Sequence, residues 1–171
     1  MKPVVLVGLM GAGKSTVGAL VAEKAGLTYV DVDRIIESRT GRTVRELWEQ
    51  GGEAAYRKLE SDVVLETLHR DDVVLAAPGG VVLDPVVRSA LEPAFVVWLR
   101  AEPATLAARV HTDDHRPLLG EHPLQVFNEM RDARADLYAQ VADVVVDTDH
   151  RDAETVARQI LDALAARRTC A

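Results

Sequence analysis

GLMGAGKST, residues 8–16, is the stretch that decides the fold of this 171-residue chain. It matches the pattern G-x-x-x-x-G-K-[ST], and it lies between an apolar run at 4–7 and a helix-like run at 15–25. A strand that leads into a glycine loop at the start of a helix points backbone N–H groups at an anion. Lys14 adds a charge for the outer phosphates, and the Ser15 hydroxyl is suited to hold Mg²⁺. The stretch therefore predicts a nucleotide-binding loop.

Short apolar runs rich in β-branched residues recur along the rest of the chain, with helical patterns between them. The runs lack an alternation of apolar and polar residues, which predicts strands buried on both faces. Strands and helices in alternation predict an α/β protein with a parallel sheet and helices on both faces. The predicted strands cover 4–7, 27–30, 73–77, 95–99 and 144–146, and the predicted helices cover 15–25, 33–38, 44–50, 52–69, 85–91, 104–110, 124–141 and 153–168.

The overall composition limits the classes of molecule that the protein is suited to bind. Hydrophobic residues make up 48% of the chain, charged residues 27%, and the net charge is −7. An acidic chain of this kind is poorly suited to nucleic acid or to an anionic membrane surface, because both reward clustered Lys and Arg. Cys170 is the single cysteine, so no intramolecular disulfide forms, and no apolar stretch is long enough to cross a bilayer. We expect a cytoplasmic protein and a monomer.

Two carboxylates, Asp31 and Asp33, follow the predicted strand at 27–30. The carboxyl ends of parallel strands face the ligand crevice of an open α/β sheet, so a base or a Mg²⁺-ordering group is expected there. The alternative is that Asp33 only caps the helix that begins at Arg34. Taken alone, the pair favours neither interpretation.

Two further patterns are equally ambiguous. Glu53, Arg57 and Glu60 are spaced to share one helix face, either as an exposed ion-pair ladder or as an arginine held ready for an anionic substrate. Pro78-Gly79-Gly80 follows the predicted strand at 73–77. Its glycines permit close approach of the backbone to a ligand, but they are also typical of a simple turn.

The segment 111–123, HTDDHRPLLGEHP, suits neither a long helix nor a strand. A polar loop of this length in a compact domain is often a lid or a binding loop. Arg116 lies inside it, Arg109 precedes it, and Arg131 and Arg134 follow it. A lone loop arginine is usually solvated, whereas several around one loop predict a clamp on transferring phosphoryl charge.

Together these motifs resemble the shikimate kinases over nearly the whole chain, from residue 4 to about 168. Each motif except the first is weak alone, and their order and spacing carry the resemblance. The resemblance implies a fold of the nucleoside-monophosphate-kinase type with a five-stranded parallel sheet. It also implies transfer of the ATP γ-phosphate to the 3-hydroxyl of shikimate, in aromatic amino-acid synthesis. The matching pieces are GLMGAGKST at 8–16, DVD at 31–33, GEAAYRKLE at 52–60, PGG at 78–80, RPLL at 116–119 and RADLY at 134–138.

The resemblance also implies roles for individual residues. Lys14, Asp33 and Arg116 would be catalytic, and Mg²⁺ would be held by Ser15 directly and by Asp31 through water. The residues implied to bind the nucleotide are Gly11, Ala12, Gly13, Lys14, Ser15, Thr16, Arg109, Arg116 and Arg151. Those implied to bind shikimate are Asp33, Trp48, Arg57, Gly79, Gly80 and Arg134. Trp98, in the predicted strand 95–99, is expected to lie in the core away from ligand.

The domain organisation follows the same pattern. We expect a single P-loop kinase domain over 1–171, with a core of 1–32, 72–110 and 142–171, an acceptor-binding segment at 33–61 and a lid at 111–123. Pro78 departs from the family, which usually has three glycines at this turn, and proline removes a backbone N–H. The altered turn supports one alternative, a kinase for another small sugar acid or polyol such as gluconate. A second alternative, a homologue that binds nucleotide without catalysis, also stays open.

Overall fold

The structure is a computed structural model that describes residues 1–110 and 122–169, with all their side chains except those of 168 and 169. The strands in these ranges are β1 (Val4–Val7), β2 (Thr28–Asp31), β3 (Val73–Ala76), β4 (Phe95–Arg100) and β5 (Val144–Asp147). The helices are α1 (Lys14–Ala25), α2 (Val32–Thr40), α3 (Val44–Leu68), α4 (Pro85–Leu91), α5 (Pro103–Val110), α6 (Pro123–Val141) and α7 (Ala153–Thr169), with a 3₁₀ turn at Val81–Leu83.

The strands of the described ranges form one parallel sheet, in the order β2-β3-β1-β4-β5. The first strand of the chain is thus the central one, and Val4 is aligned with Val74 on one side and with Phe95 on the other. All of β1 is fully buried, as its unbroken apolar sequence predicts. The predicted α/β fold class with a parallel sheet is confirmed.

The two edge strands differ from the sequence prediction of strands buried on both faces. In β2, Thr28 is exposed and Tyr29 and Asp31 are only partly buried. In β5, Val145 is 40% exposed. An edge strand has a neighbour on one side only, and the helices that cover the centre of the sheet leave part of it open to solvent. The apolar run at 144–146 therefore reflects β propensity more than burial.

Glycines set the boundaries of the helices that shape the cleft. α1 begins directly after Gly13, whose φ of 93° favours glycine. α3 begins with a capping box between Thr43 and Glu46 and runs to Leu68, but Gly52 within it has φ 73° and ψ 174°, which breaks the helix. The two helices predicted at 44–50 and 52–69 are thus the two halves of α3.

In the described ranges, no helix combines the length and the apolarity that crossing a membrane requires.

Candidate active site

The carboxyl ends of β1, β2 and β3 open into a cleft of about 790 Å³. A crevice at this edge is where open parallel sheets bind their ligands. Residues that are far apart in the sequence meet here, from the glycine loop, α2, α3, the 78–80 turn and α6. Of the residues predicted from sequence, the cleft is lined by Gly11, Gly13, Lys14, Ser15, Thr16, Asp31, Asp33, Trp48, Arg57, Gly79, Gly80, Arg109 and Arg134.

The glycine loop presents the N-terminus of α1 to the cleft. The Lys14 ammonium lies over the loop, where Nζ donates to the carbonyl oxygens of Gly8, at 2.8 Å, and of Leu9, at 3.0 Å. The first N–H groups of a helix lack partners within the helix and attract anions. The loop therefore offers both a cation and a set of backbone donors to a phosphate chain.

Asp31 connects the loop with β2 and α2. Its Oδ2 accepts from the Ser15 hydroxyl at 3.0 Å and from the Tyr29 hydroxyl at 2.9 Å, while its Oδ1 accepts from the Asp33 N–H at 3.1 Å. Burial, reinforced by the Asp31 carboxylate, raises the pKa of Tyr29 to about 12, so the phenol remains a donor. Asp31, rather than Asp33, is thus the N-cap of α2, and the capping alternative for Asp33 was wrong.

Asp33 lies in the first turn of α2, with its backbone N–H held by the cap, and it lines the cleft. Its Oδ1 accepts a hydrogen bond from the hydroxyl of Tyr56, on α3, at 3.0 Å. The two helices pack against each other, and this bond joins them at the cleft. The arrangement fixes a carboxylate opposite the glycine loop.

Arg57 is held by the two carboxylates that the helical spacing predicted. Its guanidinium donates to Glu60 at 2.5 Å and to Glu53 at 3.4 Å, and it lies over the Trp48 ring, 5.4 Å from the centroid. Glu60 is only 4% exposed, and burial raises its pKa to about 7 although Arg57 opposes the shift. Burial alone would lower the pKa of Arg57, but the two carboxylates outweigh burial, so the pKa is raised above its ordinary value. Arg57 is therefore a fixed cation at the wall of the cleft.

The Pro78-Gly79-Gly80 turn is packed against two arginines of the cleft, Arg57 and Arg134. The Gly79 carbonyl accepts from Arg134, at 3.2 Å, and from the hydroxyl of Tyr138, at 2.5 Å. Burial raises the pKa of Tyr138 to about 12, so its hydroxyl stays protonated. At Gly80, a Cβ would overlap the guanidinium of Arg57. The turn is thus a close approach of backbone to side chains. Whether it also approaches a ligand stays a prediction.

Arg109, at the end of α5, ties the glycine loop to the end of β5. Its guanidinium donates to the Gly11 carbonyl at 3.2 Å and to Thr148, through the hydroxyl at 3.1 Å and the carbonyl at 2.6 Å. Two other predicted nucleotide residues do not line the cleft. Ala12 is buried within the loop, and Arg151 donates to Gln159 at 2.8 Å. Arg116 and most of the predicted lid lie outside the described residues.

Three tyrosines beside the cleft were not predicted from the sequence. Each of the three in the chain donates its hydroxyl next to the cleft: Tyr29 to Asp31, Tyr56 to Asp33 and Tyr138 to Gly79. A signal was present for Tyr138, which follows Arg134 by four residues and so shares its helix face. Tyr56 lies beside Arg57 in sequence, but nothing local shows that α2 passes within reach of its hydroxyl.

Trp98 departs from its predicted environment. It is only partly buried, and its ring is stacked on Tyr138 with 5.5 Å between centroids. Since Tyr138 contacts Gly79, Trp98 lies two contacts from the cleft. Its position in β4 was predicted, but the expectation of a place in the core was wrong, because the side chain is only partly buried. Trp98 does not line the cleft, and its distance from ligand stays a prediction.

A phosphate loop that opens a helix of a parallel α/β sheet, beside clustered arginines and carboxylates, defines the P-loop phosphotransferases as a class. The sequence profile described as "Shikimate kinase" matches residues 10–165, and the chain belongs to the shikimate kinase family. It is thus an ATP-dependent small-molecule kinase, as the resemblance implied. The shikimate kinase of Streptomyces avermitilis is 44% identical over 161 residues, which cover 94% of each chain.

Solved structures agree with the sequence relatives. The shikimate kinase of Acinetobacter baumannii, determined in complex with shikimate, is 34% identical and has a TM-score of 0.94, over 98% of this chain and 94% of that one. A gluconokinase from Sinorhizobium meliloti is 22% identical, with a TM-score of 0.64 over 96% of this chain and 92% of that one, and shows the shared fold alone. The predicted family is confirmed, and the shikimate kinase function is supported over the gluconate alternative.

Proposed function

We propose that this chain transfers the γ-phosphoryl group of ATP to the 3-hydroxyl of shikimate, giving shikimate 3-phosphate and ADP, with Asp33 as the base. One observation carries the proposal: the cleft brings Lys14, Asp33, Arg57 and Arg134 to one place from four different helices. These are a phosphate-binding cation, a carboxylate and two arginines suited to a small cyclic acid.

Arg57 and Arg134 would bind the acceptor. A guanidinium binds a carboxylate through two parallel hydrogen bonds, and both arginines are held in place, by Glu60 and by the Gly79 carbonyl. Arg134 is only 9% exposed, so its contact with substrate is made inside the cleft. Trp48 lies against Arg57 and would close the acceptor side of the cleft. Gly79 and Gly80 would let the ring of the acceptor approach the backbone.

Asp33 would then orient the 3-hydroxyl toward the γ-phosphorus. As the bond from this oxygen to phosphorus forms and the bond to ADP breaks, the hydroxyl proton passes to the Asp33 carboxylate. Lys14 and the N-terminus of α1 would stabilise the charge on the phosphates, with the backbone of 11–16 along the chain of phosphates. Arg116 would add a second cation from the predicted lid. Arg109 and Arg151 would bind the adenosine side.

Magnesium would be held beside Ser15, with Asp31 acting through water. The donor set suits this ion, because Ser15 and Asp31 offer hard oxygen ligands 3.0 Å apart at the edge of the phosphate loop. In the described ranges no three His, Cys, Asp or Glu side chains form a cage, and Mg²⁺ in kinases is typically held by one or two protein groups and by phosphates. When bound, it would neutralise developing charge on the phosphate oxygens.

A coupled assay of ADP release tests the proposal. With Mg²⁺ and ATP alone the rate should be low, with gluconate it should stay low, and with shikimate it should rise by orders of magnitude. The K14A variant, prepared in parallel, controls for contaminating kinases. A response to gluconate alone would favour a sugar-acid kinase, and no response to either acid would favour a homologue that only binds nucleotide. The monomeric state, the cytoplasmic location and the division into core, acceptor segment and lid stay predictions.

A further inference from the structure

Tyr56 is a buried side chain whose polar atom reaches the candidate base. The residue is 3% exposed, and its hydroxyl donates to Asp33 Oδ1 at 3.0 Å. The donor is on α3 and the acceptor is on α2, so the contact depends on the tertiary fold and not on local sequence. A buried phenol needs a partner for its hydroxyl, and here the partner is the carboxylate itself.

Packing restricts the orientation of the Tyr56 ring and therefore the position of its hydroxyl. The ring packs against the Trp48 ring, with 5.7 Å between centroids and 50° between planes. Trp48 and Tyr56 lie on opposite sides of the break at Gly52, so the bend of α3 brings the two rings together. A side chain that is packed and buried in this way loses little further freedom when its hydroxyl donates.

The charges around Tyr56 keep it a donor. It is faced by Asp33 from α2 and by Arg57 and Glu60 from its own helix, and Glu60 is in turn influenced by Arg134 from α6. Burial and the two carboxylates raise the pKa of Tyr56 far above its ordinary value. The phenol therefore keeps its proton at neutral pH and cannot itself exchange protons with the substrate.

We propose that Tyr56 is a positioning residue for the phosphoryl transfer, acting through Asp33: its hydroxyl fixes the plane of the carboxylate that receives the acceptor's proton. This inference rests on the proposed role of Asp33. The hydroxyl holds the Asp33 carboxylate in one orientation.

The first test needs no turnover. Crystal structures of Y56F and of Y29F are compared with that of the wild type at the Asp33 side chain. Y56F keeps the ring but removes the hydrogen bond, so the Asp33 carboxylate should rotate about its Cβ–Cγ bond or become disordered. Y29F is the matched control, since it removes the phenol hydroxyl from Asp31 instead, and the Asp33 carboxylate should keep its plane. An Asp33 carboxylate that moves equally in Y29F, or that keeps its plane in Y56F, overturns the proposal.

The second test is a double-mutant cycle in kinetics. Y56F should lower kcat on the order of tenfold, less than the 10²–10⁴-fold that general-base catalysis contributes, with KM for ATP and shikimate within about twofold. In D33N, adding Y56F should change the residual rate by less than about twofold, because the hydroxyl acts only through Asp33. The same tenfold loss in both backgrounds would refute a role through Asp33. If instead D33N is fully active, the proposed base is wrong, and the structure of Y56F still decides whether Tyr56 holds the Asp33 carboxylate in place.

Discussion

Lys14 and Asp33 face the same cleft with different tasks, and substitutions should separate them. D33N removes the base but leaves an amide oxygen that accepts from Tyr56, so the fold and the ATP affinity should be retained. Its kcat should fall by about 10² or more. K14A should weaken both ATP affinity and kcat, because a charge on the phosphates is lost. Calorimetry with ATP and steady-state kinetics measure the two effects, and a fully active D33N would remove the proposed base.

Gly80 and Gly79 form a matched pair of neighbours with different surroundings. A methyl group at Gly80 would displace the Arg57 guanidinium, whereas one at Gly79 would press on the Gly8 carbonyl, 3.1 Å from its Cβ, in the glycine loop. G80A should therefore raise KM for shikimate on the order of tenfold and leave KM for ATP nearly unchanged. G79A should raise KM for ATP as well as KM for shikimate, because the glycine loop must shift. Initial rates with each substrate varied in turn distinguish the two, and a G80A enzyme with the shikimate KM of the wild type would place Arg57 outside the acceptor site.

The two tryptophans report on two different elements, α3 and β4. Trp48 lines the cleft, whereas Trp98 does not line it and is connected to it through Tyr138. Shikimate should therefore change the fluorescence mainly through Trp48, with a smaller contribution from Trp98. A titration of the wild type, W48F and W98F measures this: most of the signal should be lost in W48F and retained in W98F. The reverse result would contradict an acceptor site against residues 44–60.

At the ends of elements, local sequence predicts well where one residue has one dominant role. Proline at the start of α4 and the apolar run of β1 placed both elements at their observed limits. The two aspartates were harder, because either of them suits a helix cap, and only the position of the first turn shows that Asp31 is the cap. The partial exposure of β5 was missed because β-branched residues are common in edge and central strands alike.

The free energy of unfolding of the whole molecule should depend on pH because of Glu60. In the folded state burial raises its pKa from 4.5 to about 7, so between these values the folded chain binds more protons than the unfolded chain. Its contribution to the free energy of unfolding is therefore complete below pH 4.5 and is lost as the pH rises through about 7. The loss is on the order of 3 kcal/mol at most, since one pKa unit corresponds to about 1.4 kcal/mol.

Urea denaturation at several pH values tests this contribution. The wild type should lose stability relative to E60Q as the pH rises from about 4.5 to about 7.5, because glutamine does not titrate. E53Q is the control, since Glu53 contacts the same arginine but its side chain is 59% exposed. Stability curves for the wild type and E60Q that stay parallel would contradict the raised pKa.

Across the whole chain, the sequence predicted the phosphate loop, the fold class and the arginine–glutamate cluster, because each rests on a spacing within one or two elements. It did not predict that Tyr56 meets Asp33, or that Gly79 receives both Arg134 and Tyr138. Those contacts depend on how α2, α3 and α6 approach one another around the sheet. Pairs joined across elements in this way leave no periodicity in a single sequence.

The central position of β1 in the sheet has a consequence for folding during synthesis on the ribosome. β1 is translated before the other strands, yet its neighbours are β3 and β4, and Val4 must wait for Phe95 to emerge. At a translation rate of about 5–20 residues per second, this wait lasts on the order of 5–20 s. During that time a fully apolar segment is exposed to chaperones. The phosphate-binding loop that follows β1 is made before α2, α3 and α6, which supply the rest of its site.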